Sequence, residues 1–392
     1  MLTCLSYESR CISLAKSLYI HIPFCNQICS YCDFPKVFSR GQDTEAYLDA
    51  LLTELTCYEK NVGFAHLKTI YIGGGTPTVL TVKQLERLFG YLHSVIHFHQ
   101  LEEVSIEANP ESLNDIEKIA CLKAQGVTRV SLGVQTFQEN LLNRLERTHT
   151  KQDVIDVINK LSTVDVEINV DLIYGIPTQT LQQLEDDLNT LLSLPITHVS
   201  AYSLILEPHT KFHVDYMKDK LDLLDNTLEA NMFETVIHKL TTHGFSHYEI
   251  SNYTKSKRSI HNETYWKNEP YLAVGLGAHG QLEQKGRMRY ENTRSITAYK
   301  KTLAKGNLPI STTHVLTKNE QIEESMFLGL RLLEGINLTQ LSDQYNVNIY
   351  ELYKPQIDQL LTLDYVDLTS HVLKLTKKGL MMANDVFEAF LL

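Results

Sequence analysis

Cys25, Cys29 and Cys32 stand at C-x3-C-x2-C spacing in the run His21-Ile-Pro-Phe-Cys25-Asn-Gln-Ile-Cys29-Ser-Tyr-Cys32, directly after the strand-like Leu18–Ile22. Three thiolates hold three irons of a [4Fe–4S] cube and leave the fourth iron open to a small molecule. A cluster meant only for electron transfer usually has four protein ligands. The missing ligand points to chemistry at the open iron. The competing use, a zinc site, prefers paired C-x2-C knuckles and a fourth Cys or His. Pro23 fixes φ and turns the chain out of the strand. Tyr31, inside the cysteine loop, is a flat side chain suited to covering a cluster or stacking on an adenine, or simply to packing the loop.

Further along, Gly73-Gly-Gly75-Thr76-Pro77 closes a second strand. Three glycines at a strand end let another molecule approach the backbone, or make a sharp turn. Three more strand ends carry polar groups: Glu107, Gln135 and Asp171. A polar residue in an apolar strand costs free energy unless it is paired, so several on one rim suggest a polar ligand such as a ribose or an amino-acid head group. Capping of backbone amides is the alternative. Arg147 is suited to clamping a carboxylate or to an exposed helix face. The only tryptophan lies in His261-Asn-Glu-Thr-Tyr265-Trp266. A His, a Tyr and a Trp so close together suit a flat aromatic ligand with a metal centre, such as haem, or a packed aromatic corner. Gly275-Leu-Gly277-Ala-His-Gly280 matches G-x-G-x-x-G in letters alone. It opens no clear helix and has no acid about 20 residues on at a strand end, so it reads as a close-packed turn. The basic stretch Gln284–Gly306 reads as a connector, with Arg287 and Arg289 available to pair with propionates.

These residues need elements to hold them. Strand-like runs at Leu18–Ile22, Thr69–Ile72, Val104–Glu107, Arg129–Gly133, Ile168–Ile173 and Val199–Leu204 alternate with helical stretches such as Thr180–Leu194, with its Thr180/Gln183 capping box, and Asp115–Gln125. Six such units imply an α/β fold, a parallel sheet curled into a partial (β/α)6 barrel whose strand ends line the site. After Glu207 the pattern changes to a helix near Leu221–Leu240 and a strand and turn at Ser246–Tyr253. From Thr317 helices, a hairpin at Val366–Thr376 and a last helix suggest a small winged-helix-like domain. The expected division is a leader at 1–16 with no assigned function, a core at 17–245, a connecting segment at 246–309 and a C-terminal domain at 310–392.

At 392 residues, 43% apolar and 9% aromatic, the chain is an ordinary globular protein of two or three domains. A net charge of −11 argues against a nucleic-acid partner. Cys4, Cys11, Cys57 and Cys121 show no disulfide-framework spacing, which fits a reducing cytoplasm. No targeting segment or membrane span is expected.

The cysteine spacing resembles that of radical S-adenosylmethionine (SAM) enzymes. Tyr19-Ile-His-Ile-Pro-Phe-Cys25, Gly73-Gly-Gly-Thr-Pro-Thr78, Gly133-Val-Gln-Thr-Phe137, Asp171-Leu-Ile-Tyr-Gly-Ile-Pro177 and the His261 run together resemble the oxygen-independent coproporphyrinogen III oxidase family, over nearly the whole chain from Ser17. Catalytic members oxidatively decarboxylate two propionates of coproporphyrinogen III, giving protoporphyrinogen IX, and their cysteine run continues as C-x3-C-x2-C-x-C. Here the residue two past Cys32 is Phe34. That feature and the H-N-x-x-Y-W run at His261–Trp266 are similar to the family's haem-chaperone branch, whose members bind haem and pass it to haem-dependent proteins. The resemblance implies that Cys25, Cys29 and Cys32 ligate the cluster and that Tyr19, Tyr31, Gly74 and Glu107 contact SAM. Gly75, Thr76, Gln135, Arg147 and Asp171 match positions that hold SAM in the catalytic branch, some of them a second molecule. His261, with Tyr265 and Trp266, becomes the haem-binding candidate. The partners implied are haem, haem-accepting proteins and a low-potential ferredoxin or flavodoxin, and a homodimer is compatible. The alternative function is the coproporphyrinogen III oxidase reaction itself.

Overall fold

The computed structural model describes residues 15–283 and 286–392; most of the leader, with Cys4 and Cys11, and Gln284 and Lys285 lie outside the described residues. Six strands follow one another through the first half: β1 (Ser17–Ile22), β2 (Thr69–Gly74), β3 (Glu103–Ala108), β4 (Arg129–Gln135), β5 (Glu167–Tyr174) and β6 (His198–Ser203). All five neighbouring pairs are parallel. The longer helices between them start on Asp43, Thr81, Asp115, Thr150 and Thr180, and the long helix after β6 starts on Asp225; each of these side chains accepts a first-turn backbone N–H. Such an N-cap contributes about 1 kcal/mol and fixes where a helix begins. On Leu181–Leu192, Leu184, Leu188 and Leu191 are fully buried against the sheet, each worth roughly 1.5–3 kcal/mol.

Later strands extend the sheet at both edges. They are β7 (Ser246–Glu249), β8 (Asn252–Thr254), β9 (Tyr271–Val274), β10 (His279–Glu283), β11 (Arg287–Asn292) and β12 (Ile310–Val315). The order across the sheet is β12-β11-β10-β9-β1-β2-β3-β4-β5-β6-β8-β7. β9 joins β1 in parallel, and the remaining additions are antiparallel. The sheet is therefore an open, partial barrel. The basic stretch expected to be a connector is instead a strand, β11, followed by a helix at Ile296–Leu303. Its arginines are engaged within the chain, Arg287 with Glu283 at 3.2 Å and Arg289 with Glu324 at 3.0 Å.

Each strand alternates. Leu18, Ile20, Ile22, Ile70, Ile72, Val104, Ile106, Val130, Leu132, Val170 and Val199 join one apolar core under the helices. The residues between them face inward, and they are polar: Ser17 and Thr69, Glu103 and Arg129, Ser105 and Ser131, Asn169 and His198. Several of them bond one another or a neighbouring inward residue, as in Asn169 Nδ2 to Ser131 Oγ at 2.7 Å and to Ser200 Oγ at 2.9 Å. Parallel sheets are usually apolar on both faces; here one face lines a polar lumen.

A short helix, Ile260–Trp266, closes the N-terminal end of that lumen. Ser259 and Ile260 bond Glu103, and Thr264 Oγ1 lies 2.7 Å from Ser17 Oγ. On its other side Arg331 stacks over Trp266 at 4.3 Å, and backbone bonds join Ile250 to Arg331 and Leu333 to Tyr248. Arg331 belongs to the C-terminal region, where helices at Lys318–Gly329, Leu338–Tyr345 and Lys354–Thr362 precede a hairpin at Val366–Thr369 and Val372–Leu375. This winged-helix-like unit has its own buried cluster, including Met326, Ile349, Tyr353, Ile357 and Phe390. Among the described residues no helix is long and apolar enough to cross a membrane.

Candidate functional site

The cysteines lie on a loop closed at its base by a two-residue parallel ladder, Phe24–Cys25 with Val37–Phe38. His21, the last inward residue of β1 before that loop, fastens it. Its Nε2 lies 2.6 Å from the Pro35 carbonyl and its Nδ1 3.0 Å from the Tyr19 hydroxyl. Burial lowers its pKa to about 4, so at neutral pH the ring is uncharged, donating to Pro35 and accepting from Tyr19. The sequence reading missed His21, although its inward position in Tyr19-Ile-His21 was the available signal.

Cys25, Cys29 and Cys32 share one wall of a cavity of about 380 Å³, together with Tyr31, Gly74, Gly75, Thr76, Glu107, Gln135, Arg147 and Asp171. The cavity runs down the lumen to Asn262 on the closing helix. Burial pushes the Cys25 thiol up to about 11 and raises that of Cys32. Two donors face the sulfurs: Thr76 Oγ1 lies 3.9 Å from Cys25 Sγ, and Arg147 Nη1 3.6 Å from Cys29 Sγ. Among the described residues no three His, Cys, Asp or Glu side chains converge on a point fit for a single metal ion.

The glycine turn is shaped by the chain itself. Gly74 has φ +116, and a Cβ there would lie 2.5 Å from the His21 ring; one on Gly75 would lie 2.9 Å from Cys25 Sγ. Only glycine brings β2 this close to the cysteine loop. Glu107 holds the turn from β3, accepting from the Gly74 amide at 2.9 Å and the Tyr71 hydroxyl at 2.8 Å. Burial raises its pKa to about 7, and that of Asp171 to about 6. Asp171 accepts from both Ser131 and Asn169. Gln135 sits where the β4 register shifts, at φ +69, a left-handed conformation uncommon outside glycine.

Asn109 is a second residue the sequence reading passed over. Its Nδ2 donates to Thr76 Oγ1 at 3.0 Å and its Oδ1 accepts from Arg147 Nη2 at 2.8 Å. Arg147 also donates to the Gly133 carbonyl. Asn109 thus links the glycine turn to the arginine beside Cys29. Tyr31 packs against the apolar group that includes Leu141, Leu145 and Phe212.

Four of the singled-out residues do not line the cavity. Tyr19 stands beside it, bonded to His21 and stacked on Tyr71. His261 is fully buried, with Nδ1 2.8 Å from Thr69 Oγ1 and Nε2 2.8 Å from the Tyr265 hydroxyl. Burial lowers its pKa to about 3. With both nitrogens engaged it presents no free ligand atom, Tyr265 is occupied by it, and Trp266 lies under Arg331. The motif expected to face haem is, in this structure, the floor of the barrel. The propionate role expected for Arg287 and Arg289 fares likewise, since both have carboxylate partners in the chain.

Residues 19–191 match the Radical SAM superfamily model and residues 316–382 the HemN C-terminal domain model. The chain is 41% identical over 379 residues to the heme chaperone HemW of Bacillus subtilis, covering 96% of this chain and 99% of that protein. It is 41% identical over 378 residues to the HemW of Lactococcus lactis, with coverage of 96% and 97%, and 30% identical over 382 residues to that of Escherichia coli, with coverage of 96% and 98%. Its fold is that of the radical SAM coproporphyrinogen III oxidase HemN from Escherichia coli, with a TM-score of 0.82, 21% identity and coverage of 99% of this chain and 92% of that one. A barrel with three cysteines at its mouth, Phe34 beyond them and a His-Asn-Glu-Thr-Tyr-Trp helix at its base thus belongs to the radical SAM, coproporphyrinogen III oxidase-like family, in its heme chaperone HemW branch.

Proposed function

We propose that this chain is a haem carrier that holds a [4Fe–4S] cluster on Cys25, Cys29 and Cys32, binds SAM beside it, and delivers haem to haem-dependent proteins. The observation that carries the reading is the donor set: three sulfurs, that of Cys25 buried and those of Cys29 and Cys32 partly so, on one wall of a polar lumen, with Phe34 where the catalytic branch has a further cysteine. Burial disfavours the thiolates of Cys25 and Cys32 until a metal centre supplies positive charge, and the C-x3-C-x2-C spacing suits a cube of several irons better than a single zinc. A bound cluster with SAM supplies one-electron chemistry. Around it, Glu107 keeps the Gly74 amide in place, Arg147 sets a positive charge beside Cys29, and Asp171 and Gln135 offer polar contacts to SAM.

In this reading residues 17–245 carry the cofactors, 246–309 form the barrel floor and sheet extension, and 310–392 serve for docking. The protein acts in the cytoplasm, reduced by a ferredoxin or flavodoxin. A second reading, oxidation of coproporphyrinogen III, is favoured by one observation: Gly75, Thr76, Gln135, Arg147 and Asp171 all remain on the cavity wall. One experiment separates the two. The protein is reconstituted anaerobically with iron and sulfide, analysed by Mössbauer spectroscopy, titrated with haem, and incubated with dithionite, SAM and coproporphyrinogen III. A site-differentiated cubane, saturable haem binding and no protoporphyrinogen by chromatography are expected. Robust turnover would overturn the carrier reading, and a lone zinc would overturn both.

A further inference from the structure

The cysteine loop is held from outside the barrel as well as by His21. Between Cys29 and Cys32, Ser30 is buried and carries a backbone bond on each side. Its N–H donates to the Leu145 carbonyl at 3.3 Å, and its carbonyl accepts from the Phe212 N–H at 3.0 Å. Phe212 lies in the first turn of a short helix, Lys211–Tyr216, capped by Thr210. That helix belongs to the segment 207–224, between β6 and the long helix that starts on Asp225, which adds no strand to the sheet. Two apolar side chains pin the segment down. Phe212 and Leu221, 3% and 6% exposed, share a pocket with Leu141, Leu145 and Ile176, and Tyr31 packs against it. Lys211 adds an ion pair to Glu146. Apart from Thr210, every other residue of 207–224 is exposed or half-buried. A segment with so few buried anchors opens locally, at much lower cost than the fold as a whole.

We propose that the segment 207–224 is a latch on the cysteine loop, closed when a cluster binds and opened when it is lost, with Phe212 as the positioning residue that acts on Cys29 and Cys32 through Ser30 and Tyr31. The proposal rests on the cluster reading of the three cysteines and gives the cluster a way in and a means of retention. A centre ligated by Cys29 and Cys32 fixes both ends of Ser30-Tyr31. It thereby fixes the carbonyl that the Phe212 amide bonds and the ring beside the Phe212 pocket. Coupling of this kind is reciprocal: what the cluster adds to closure, closure adds to the hold on the cluster. Cys25 stands apart, since the ladder of Phe24–Cys25 with Val37–Phe38 fixes it from the other arm of the loop. The latch therefore acts on two ligands of three, and its opening frees Cys29 and Cys32 to receive iron and sulfide while the barrel stays folded.

The test is hydrogen exchange of the full chain, read by mass spectrometry at the peptide containing Phe212, before and after anaerobic reconstitution with iron and sulfide. Exchange at Phe212 is expected to slow about tenfold on loading, within the ordinary range of coupling between two sites, while the hairpin at Val366–Thr369 and Val372–Leu375 exchanges at one rate throughout. An unchanged rate at Phe212 in a chain that iron analysis and Mössbauer spectroscopy show to hold a full cubane would overturn the latch and leave the cluster reading standing. Equal slowing at the hairpin would mean general stabilisation and would also overturn the latch. A chain that takes up no cubane would overturn the cluster reading, and the latch with it. Phe212→Ala is expected to lose the difference in exchange and, by reciprocity, to release iron to a chelator about tenfold faster; Phe212→Leu, which refills the pocket, is expected to restore both. Leu221→Ala loosens the second pin without touching the Ser30 bond and is expected to speed release in the same direction. Wild-type release from both alanine variants, with folding checked by circular dichroism, would remove the segment from any role at the cysteines.

Discussion

Replacing His261 by alanine separates a floor residue from a haem ligand. The imidazole is fully buried and bonded on both nitrogens, at 2.8 Å each. Its removal leaves a cavity and strips partners from the hydroxyls of Thr69 and Tyr265. Together these losses destabilise the fold by about 4 kcal/mol. The effect also has a pH signature. Burial lowers the His261 pKa from 6.5 to about 3, so between those values the unfolded chain binds a proton that the folded chain does not. The stabilisation is fully present above pH 6.5 and is lost as pH falls. By about pH 5 roughly 1.5 units of the window have been crossed, costing about 2 kcal/mol. His21, lowered to about 4 by burial, adds a loss of the same sign. Trp266, the only tryptophan and part of the same helix, reports the event by fluorescence during guanidinium unfolding. His261→Ala is expected to unfold at markedly lower denaturant and with a shallower pH dependence than the wild type. An alanine variant as stable as the wild type that has lost haem binding would refute this reasoning and restore His261 as a ligand.

Gly74→Ala drives a methyl into the His21 ring at a φ that favours glycine; loss of several kcal/mol and poor iron incorporation on reconstitution are expected, by thermal melt and iron analysis. Glu54 is buried between Gly275, Asn292 and Tyr299, and burial raises its pKa from 4.5 to about 7. The folded chain therefore binds the extra proton, and stability falls as pH rises from 4.5 to 7, by roughly 3 kcal/mol at most; Glu54→Gln should flatten that fall in urea titrations run across the window. Arg147→Gln removes the charge beside Cys29 and is expected to lower the midpoint potential of a reconstituted cluster, measured by redox titration with EPR in the absence of SAM.

The six parallel strands and the capped helix at Leu181–Leu192 were legible because each carries a local signal: an apolar–polar alternation, or Thr180 and Gln183 at cap spacing. The cysteine loop and glycine turn stood out for the same reason. The joining of β9 to β1 did not, since it pairs residues some 250 apart and nothing in Tyr271–Val274 names its partner. β11 was hidden by its arginines, which look solvated in the sequence yet bond Glu283 and, across the fold, Glu324. The polar residues at strand ends read, in sequence, as three groups meeting at one rim. The alternation in fact runs the full length of the strands, so Asn169, Arg129 and His198 belong to the same lumen as Glu107 and Asp171. His261 advertises ligation by its residue type, and its place in the barrel floor could not be read from the sequence because it is set by Thr69, nearly two hundred positions away.

The helix at Ile260–Trp266 is fastened from two directions, to the first strands through Thr264 and His261 and to the C-terminal unit through Trp266 and Arg331. Trimming the chain before Lys318 is therefore no neutral edit. It would remove Arg331, the Ser325 partner of Asn268 and the Glu324 counterion of Arg289 in one stroke. The barrel would keep its sulfurs and lose the brace under its floor, so leakage of solvent from below should precede any damage at the cysteines.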